Sequence, residues 1–330
     1  MSRFLSKNYD TLVPYTPGEQ VNVKVIKLNT NESPFSPSPK VKEVLSEEVI
    51  DKLNLYSDPE LKELRNAIAK EFGVTADMVF CGNGSDDVLA FAIMGFCGRG
   101  GKLCCPEISY GFYPVYADIF GVELEQIPLK NDFSIDVNDY IGKNKNIVIA
   151  NPNAPTGLYL TLAQIEEILK ANPDNVVVID EAYIDFGGES AIPLTKIYNN
   201  LLVVQTFSKS RSMAGARLGF GIACPALIAD LETLRYSTNP YNINRMTLAA
   251  GLGQLADEDT TRRNCQTIIA NREYTTAQLE AMGFTVIPSA ANFVFAASPR
   301  IGGKALYEGL KDRGVLVRHF ETPRLKDYNR

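Results

Sequence analysis

The stretch that decides the fold is Thr206-Phe-Ser-Lys-Ser-Arg-Ser-Met-Ala-Gly-Ala-Arg-Leu-Gly219. It lies between two short apolar runs, residues 201–204 and 220–223, each with the length and composition of a buried strand. Upstream, five more short apolar runs alternate with segments of helical spacing. Parallel strands need crossover connections, so this alternation predicts an α/β fold whose mostly parallel sheet is covered by helices on both faces.

Working outward from that stretch, the pattern predicts two structural units. The predicted strands cover residues 78–81, 102–105, 122–128, 147–150, 176–179 and 201–205, with a short strand at 21–28. Helices are predicted at residues 40–53, 61–72, 87–96, 113–120 and 161–171. Beyond Pro225 helices dominate up to residue 282, followed by strands at 284–288, 292–296 and 315–318 and a helix at 303–312. We expect an N-terminal arm over residues 1–39 that joins the small domain, a large domain over 40–240 and a small α+β domain over 241–330.

Composition narrows the classes of function. The chain has 330 residues, 45% of them hydrophobic, which suffices for about two domains. Its net charge of −6 disfavours nucleic acid and anionic membranes as partners. The single histidine, His319, argues against multi-histidine metal sites, so no metal is expected. Six cysteines without a C-x-x-C pair, and an N-terminus without an apolar signal region, indicate a cytoplasmic protein.

The decisive stretch also carries a set of reactive and anion-binding side chains. The Lys209 amine can condense with an aldehyde, while nearby hydroxyls and Arg217 can hold an anion. Pyridoxal phosphate (PLP) carries both groups. Taken alone, the same stretch is equally compatible with a basic loop whose side chains are solvated, because short motifs often occur by chance.

Further candidates lie where the predicted strands end, which is where ligands bind in such sheets. Gly82-Asn-Gly-Ser85 opens a helix and can present backbone N–H groups to a phosphate, or be an ordinary turn. Asp180 can pair with a protonated pyridine nitrogen, or simply cap a helix. Asn153 can bond a ring oxygen or serve turn chemistry. Tyr110 can lie on a ring face or be a core aromatic.

Several spaced motifs, in one order, resemble those of the fold-type I, PLP-dependent class I/II aminotransferases. These are Ser208-Lys-Ser-Arg-Ser-Met-Ala-Gly-Ala-Arg-Leu-Gly219, Asn151-Pro-Asn-Ala-Pro-Thr-Gly157 and Asp180-Glu-Ala-Tyr183. Closer markers resemble the branch of that family that acts on histidinol phosphate. They are Pro14-Tyr15, Leu28-Asn-Thr-Asn-Glu-Ser-Pro34, Leu55-Tyr56, Gly82-Asn-Gly-Ser-Asp86, Ser109-Tyr110-Gly111, Tyr241-Asn-Ile-Asn244 and Ala291-Asn292-Phe293. The resemblance covers nearly the whole chain and implies a large PLP-binding domain with a smaller domain built from both termini.

The resemblance also implies roles around the cofactor. Lys209 would form the Schiff base and carry a proton, Asp180 would pair with the pyridinium nitrogen, and Tyr183 would contact the ring oxygen. Tyr110 would stack on the ring, and Tyr56 would reach the phosphate in the other subunit of a homodimer. The phosphate would be held by Gly84, Ser85, Asp86, Thr206, Ser208 and Arg217. The chain departs from the family where Ala154 stands in place of an asparagine, and Asn153 is expected to supply that contact.

The implied substrates are L-histidinol phosphate and the pair glutamate and 2-oxoglutarate. The substrate side chains implied by the resemblance are Tyr15, Glu32, Asn242, Arg318 and Arg330. Arg318 would clamp the phosphate, Glu32 would meet the imidazole N–H, and Arg330 would bind a carboxylate or the phosphate. Because the sequence stops at Arg330, we expect a small domain without the family's last strand and helix.

Two alternatives remain open at this stage. An aromatic-amino-acid aminotransferase or an amino-acid-phosphate decarboxylase would share the fold and the lysine. The second alternative is a non-catalytic ligand-sensing domain on the same fold. The intact Lys209 and the acidic net charge argue against it.

Overall fold

The computed structural model describes residues 3–9, 11–20 and 24–330. Its central feature is a seven-stranded sheet with the strand order β2-β8-β7-β6-β5-β3-β4. Its strands are β2 (Val79–Gly82), β3 (Lys102–Pro106), β4 (Glu123–Ile127), β5 (Asn146–Ala150), β6 (Val177–Asp180), β7 (Leu201–Thr206) and β8 (Gly219–Ala223). All neighbouring pairs are parallel except those of β8, which runs antiparallel to both β2 and β7. The predicted α/β class and mostly parallel sheet are confirmed.

The sheet is buried on both faces, as its continuous apolar strands require. Along β7, Leu201 and Val203 pack into one core cluster, whereas Leu202 and Val204 pack into another. Successive side chains of a strand point to opposite faces, so the two clusters are the two cores above and below the sheet. Helices cover each of them.

The helices begin and end close to the predicted positions. They are α1 (Pro39–Val44), α2 (Glu47–Asp51), α3 (Lys62–Phe72), α4 (Ser85–Ala92), α5 (Phe112–Phe120), α6 (Leu162–Ala171), α7 (Pro225–Thr238), α8 (Arg245–Leu255), α9 (Glu258–Ala281) and α10 (Gly303–Asp312). Helix α6 begins with a capping box in which the Thr161 side chain and Gln164 satisfy each other's backbone N–H groups. The predicted cap at Thr161 is therefore confirmed.

Three predicted elements differ from the structure. The helix expected over residues 40–53 is two short helices, because the chain leaves helical geometry at Leu45 and restarts from Ser46. The helix expected from residue 87 begins at Ser85 and continues as a π-helix over Ile93–Cys97. The strand expected at 21–28 is a two-residue strand, β1 (Ile26–Lys27), and residues 21–23 lie outside the described part of the chain.

The remaining strands tie the chain's two ends together. An antiparallel sheet joins β9 (Thr285–Ile287), β10 (Phe295–Ala297) and β12 (Tyr328–Asn329). Strand β1 pairs in parallel with β11 (Val315–Leu316). This pairing supports the expectation that the N-terminal arm joins the small domain.

The boundary expected at residue 240 stays a prediction, because helices on its far side still pack against residues before it. Ile243 and Ala250 belong to the core cluster on one face of the large sheet. In contrast, Cys265 and Ile268 of α9 pack with Phe186 in a separate cluster. The change of packing partner falls between α8 and α9.

Candidate active site

Two adjoining cavities open at the carboxyl ends of β5, β6 and β7. The smaller has a volume of about 370 Å³, and its walls include Ala150, Asp180 and Thr206, the last residues of those three strands. The larger, of about 710 Å³, lies between that edge and the segment after β11. The walls of both cavities share Thr30, Tyr110, Ala154, Tyr183 and Lys209. The two cavities therefore meet at the lysine that the sequence singled out.

Lys209 lies in the loop between β7 and β8, where the decisive stretch turns back into the sheet. Its Nζ donates a hydrogen bond to the backbone oxygen of Thr30 at 3.0 Å and lies 5.9 Å from the centre of the Tyr183 ring. The amine therefore faces the space that both cavities share. A ligand in either one is within its reach.

Asp180 ends β6 with a side chain buried at the wall of the smaller cavity. Burial raises the pKa of its carboxyl to about 6, although hydrogen bonds from the Tyr113 hydroxyl and the Ala182 N–H oppose that shift. The Tyr113 hydroxyl lies 2.8 Å from Oδ2. A carboxylate that is costly to ionise alone gains most from a cationic ligand placed against it.

The other end of the smaller cavity is built to hold an anion. Helix α4 begins at Ser85 after Gly84, which adopts a positive φ of 87°. Arg217 lies beside this helix start, with Nη2 3.1 Å from the Asp86 carboxylate. The Thr206 hydroxyl donates to that of Ser208 at 3.0 Å on the same wall. A helix N-terminus, hydroxyls and a guanidinium together favour a phosphate group.

Gly219 brings those parts together. A Cβ at this position would lie 2.2 Å from the Ser85 backbone nitrogen and 2.4 Å from the Gly84 carbonyl carbon. Glycine therefore lets the first residue of β8 touch the start of α4. This close approach places the anion-binding end beside the loop that carries Lys209.

Two tyrosines form the side walls. The Tyr110 hydroxyl donates to Asp86 Oδ1 at 2.7 Å, and its ring meets that of Tyr113 edge-on at 5.7 Å. The Tyr183 hydroxyl oxygen accepts a hydrogen bond from Asn31 at 2.9 Å, and its ring packs edge-on against Phe293 at 5.3 Å. Both rings are fixed in orientation before any ligand arrives.

The larger cavity contains two of the predicted substrate arginines. Arg318 and Arg330 exchange backbone hydrogen bonds of 2.9 Å in both directions. The Arg330 Nη2 donates to the Asn29 oxygen at 2.8 Å, and burial lowers the pKa of its guanidinium. Tyr15 lines the same cavity and stacks on Phe112 with ring centres 4.2 Å apart. Arg318 and Arg330, on the wall of a cavity next to Lys209, suit a substrate with two anionic groups.

Two predicted asparagines, Asn153 and Asn242, lie outside both cavity walls. Asn153 is buried, and its side-chain amide bonds to the Ser109 hydroxyl, the Ile108 oxygen and the Thr156 hydroxyl, so its expected contact with a ring oxygen stays a prediction. Asn242 donates to Asp87 Oδ2 at 3.1 Å, behind the start of α4. These side-chain amides already bond to neighbouring turn and helix residues. The order of the motifs in the sequence could not reveal those bonds.

Tyr56 and Glu32 also differ from the simplest expectation. Tyr56 is 78% exposed and stacks on Tyr241 with ring centres 4.3 Å apart, away from the cavities of its own chain. Glu32 lines the smaller cavity rather than the larger one, and its carboxylate pairs with Lys27 at 2.5 Å. Its expected contact with an imidazole stays a prediction.

Sequence reasoning missed three contributors to the site. Tyr113 holds Asp180, the Thr30 carbonyl holds Lys209, and Asn31 holds Tyr183. Tyr113 could have been suspected, because a tyrosine on the buried face of an apolar helix needs a partner for its hydroxyl. Nothing in the local sequence links residues 30 and 31 to positions more than 150 residues away.

Comparisons with known proteins agree with this geometry. The family of class I and II aminotransferases matches residues 23–330. A histidinol-phosphate aminotransferase of Brachyspira hyodysenteriae is 50% identical over 332 residues, which cover 100% of this chain and 94% of that protein. Another from a Marinomonas species is also 50% identical, over 100% of this chain and 95% of its own length.

Solved structures share the fold. The histidinol-phosphate aminotransferase of Sinorhizobium meliloti, crystallised with pyridoxal-5'-phosphate, has a TM-score of 0.89 at 22% identity, covering 100% of this chain and 92% of its own. That of Clostridium acetobutylicum has a TM-score of 0.84 at 25% identity, over 92% and 93% of the two chains. The chain belongs to the class I and II aminotransferases. The curated relatives cited above are, within that class, histidinol-phosphate aminotransferases.

One negative finding concerns the helices. Among residues 3–9, 11–20 and 24–330, no helix is both long and apolar enough to cross a membrane.

Proposed function

We propose that this protein transfers an amino group between L-histidinol phosphate and 2-oxoglutarate with the help of PLP. The observation that carries the proposal is the position of Lys209, where a cavity with an anion-binding end meets a cavity lined by Arg318, Arg324 and Arg330. The family match and the names of relatives at 50% identity support the same reaction.

The smaller cavity fits PLP by the chemistry of its donors. Ser85, Ser208 and Arg217 would hold the phosphate at one end, and the buried Asp180 would face the pyridine nitrogen at the other. A pyridinium opposite Asp180 would favour the ionised carboxylate, whose pKa burial alone raises. Lys209 lies between these ends, within reach of an aldehyde. When bound, PLP supplies an electron sink that stabilises negative charge on the substrate's α-carbon.

The larger cavity fits the substrates. Arg318 and Arg330 line it together, so one can hold the phosphate of histidinol phosphate and both can hold the two carboxylates of 2-oxoglutarate. Substrates that alternate in one site must present their anionic groups to the same cations. The Lys209 amine, adjacent to both cavities, is placed to accept a proton from the α-carbon and return it.

An absorption experiment tests the proposal. The purified protein is loaded with PLP and titrated with L-histidinol phosphate and then with 2-oxoglutarate. We expect the visible band of the cofactor to bleach with the first and return with the second, and Lys209→Ala to lack both the band and turnover. A band that bleaches only with phenylalanine or tyrosine would reassign the enzyme to aromatic amino acids. Turnover that survives in Lys209→Ala would overturn the mechanism.

We also propose a homodimer in which Tyr56 reaches the partner's cofactor phosphate. The loop that carries Tyr56 is fixed by two hydrogen bonds to residues 243–245. Arg245 Nη2 donates to the Tyr56 backbone oxygen at 2.6 Å, and the Ser57 hydroxyl donates to the Ile243 backbone oxygen at 2.6 Å. A rigid loop with an exposed Tyr56–Tyr241 stack is suited to an interface. Sedimentation should give twice the chain mass of 36.3 kDa, and Tyr56→Ala should weaken cofactor retention.

A cytoplasmic location is proposed on the state of the cysteines. All six are free, and five of them are buried. Burial raises the pKa of Cys81 and of Cys104 to about 12, which keeps these thiols inert packing groups. Quantifying thiols in protein isolated under alkylating conditions should find all six reduced.

A further inference from the structure

We propose that Asn31 is a positioning residue that sets how strongly the Tyr183 hydroxyl donates a hydrogen bond into the cofactor cavity. The inference deepens the proposed function and rests on it. Its starting point is one contact: the Asn31 Nδ2 lies 2.9 Å from the phenolic oxygen of Tyr183 and donates to it. The two residues are 152 positions apart, so only the fold brings them together.

Asn31 is held in the conformation that this contact requires. It is 7% exposed, and its backbone has a φ of 56°, in the left-handed region that asparagine tolerates better than most residues. The Asn292 Nδ2 donates to the Asn31 carbonyl oxygen at 3.0 Å. The side-chain amide is thus fixed against Tyr183 by the turn and by a residue of the distant small domain.

The hydrogen bond leaves the Tyr183 proton available. The phenolic oxygen accepts from Asn31, and within the described part of the chain the hydroxyl donates to no protein group. Tyr183 lines both cavities, and Phe293 fixes the angle of its ring. The free proton can therefore go to an oxygen atom of a ligand in the smaller cavity. An N–H donor on the phenolic oxygen also polarises the O–H bond and makes it a stronger donor.

No other side-chain amide among the described residues takes this place. Ala154 presents only a methyl group to the cavities, and the Asn153 amide is fully used elsewhere. The same turn also touches the reactive amine, because the Thr30 oxygen accepts from Lys209. One turn thereby contacts both groups that act on the cofactor.

The charged surroundings of Tyr183 stay constant when Asn31 is replaced by glycine. Lys209 lies 5.9 Å from its ring, and Arg330 is the other cation that interacts with it. The remaining charged side chains of the two cavity walls are Glu32, Asp86, Glu107, Asp180, Arg217, Arg318 and Arg324. A difference between wild type and Asn31→Gly therefore isolates the amide, whereas Asn31→Asp also adds a carboxylate.

The readout is the pH titration of the visible band of the PLP-loaded protein, which reports the pKa of the nitrogen that links Lys209 to the cofactor. When the Tyr183 hydroxyl donates strongly to the ring oxygen of the cofactor, it stabilises the negative charge on that oxygen, and the proton on the linking nitrogen is needed less. When the Tyr183 hydroxyl donates more weakly, the oxygen attracts the proton on the linking nitrogen more strongly, so the pKa of that nitrogen rises. For the loss of one hydrogen bond we expect Asn31→Gly to raise it by about 0.5.

Three variants make the test specific. Asn31→Gly removes the amide while accepting the positive φ, and Asn31→Asp keeps the shape but accepts the Tyr183 proton, so it should raise the pKa at least as much. Asn29→Ala is the matched control, because the Asn29 amide in the same turn donates to the Glu19 oxygen rather than to Tyr183. It should leave the pKa unchanged.

A double-mutant cycle with Tyr183→Phe decides the outcome. If Asn31 acts through Tyr183, Asn31→Gly will raise the pKa in the wild-type background and have no effect in Tyr183→Phe. An unchanged pKa in Asn31→Gly, or an equal rise in both backgrounds, would overturn the inference alone. Absence of the visible band in wild type would overturn the proposed function and the inference with it.

Discussion

At the scale of single residues, Glu181 is a buried acid that no step of the proposed reaction uses. It accepts hydrogen bonds from the Ser190 hydroxyl, the Ala191 N–H and the Gln205 amide. Burial nevertheless dominates and raises the pKa of its carboxyl from 4.5 to about 7. The folded protein therefore binds a proton that the unfolded chain has lost between these two pH values.

Stability should accordingly depend on pH through this residue. The stabilisation is fully present below pH 4.5 and is lost as the pH rises to about 7, on the order of 3 kcal/mol in total. Urea unfolding of the cofactor-free protein should show this fall in the free energy of unfolding, and Glu181→Gln should flatten it. Glu189→Gln, at an exposed neighbouring position, controls for the change in net charge. An equal slope in wild type and Glu181→Gln would refute the assignment.

The residue scale also shows where sequence reasoning succeeds. Lys209, Asp180 and Arg217 were predicted from local motifs, and the structure brings all three to one cavity. Each follows or precedes a strand whose apolar pattern is visible in the sequence. The partners of Asn153 could not be predicted, because a side-chain amide in a turn has several partners within reach and the sequence does not show which of them it binds.

At the scale of elements, the contact between β8 and α4 is the tightest link between the sheet and the anion-binding end. Replacing Gly219 by Ala would place a Cβ 2.2 Å from the Ser85 nitrogen, against backbone that cannot rotate away. We expect a loss of about 2 kcal/mol in the free energy of unfolding and weaker binding of PLP, because the start of α4 must move.

The matched control for this prediction is Gly215→Ala in the loop before β8, where an added Cβ meets no atom within 4 Å. It should leave the free energy of unfolding nearly unchanged. Chemical denaturation and equilibrium dialysis of PLP measure the two effects separately. A Gly219→Ala protein as stable as the control would show that the two elements can separate at little cost.

Element positions around the large sheet could be predicted because its central strands, such as β7, are continuous apolar runs and because α6 carries its cap in the sequence. The break between α1 and α2 and the π-helix after α4 could not, because the residues there keep helical spacing. Packing against neighbouring elements, rather than local preference, decides such details.

At the scale of the whole molecule, Arg324 joins the segment after β11 to the large sheet. It pairs with Glu107, which follows β3, and donates to the Leu129 and Lys130 oxygens at 3.0 and 2.6 Å. This segment forms the outer wall of the larger cavity. The contact therefore closes the proposed substrate site from the side of the segment after β11.

Removing that contact should affect the substrate more than the cofactor. For Arg324→Ala we expect KM for L-histidinol phosphate to rise roughly three- to tenfold, because one partly exposed ion pair and its hydrogen bonds are worth about 1 kcal/mol. PLP binding should be unchanged. Arg313→Ala is a suitable control, because within the described part of the chain that side chain donates only to the Gly309 oxygen, at its own helix end. Steady-state kinetics that show equal KM values in both variants would contradict the role of Arg324.

The sequence by itself determined the mostly parallel sheet and the order in which strands and loops follow each other. It also determined that Lys209, Asp180 and Arg217 lie at or near the ends of strands. It could do so because apolar periodicity and loop chemistry are local properties. The tertiary structure alone decided that Thr30 and Asn31 contact Lys209 and Tyr183, that Asn153 and Asn242 stay outside the cavities, and that Arg324 closes the larger cavity. Most of these contacts join residues far apart in the chain, and they form only when the packing of the folded chain fixes which partners meet.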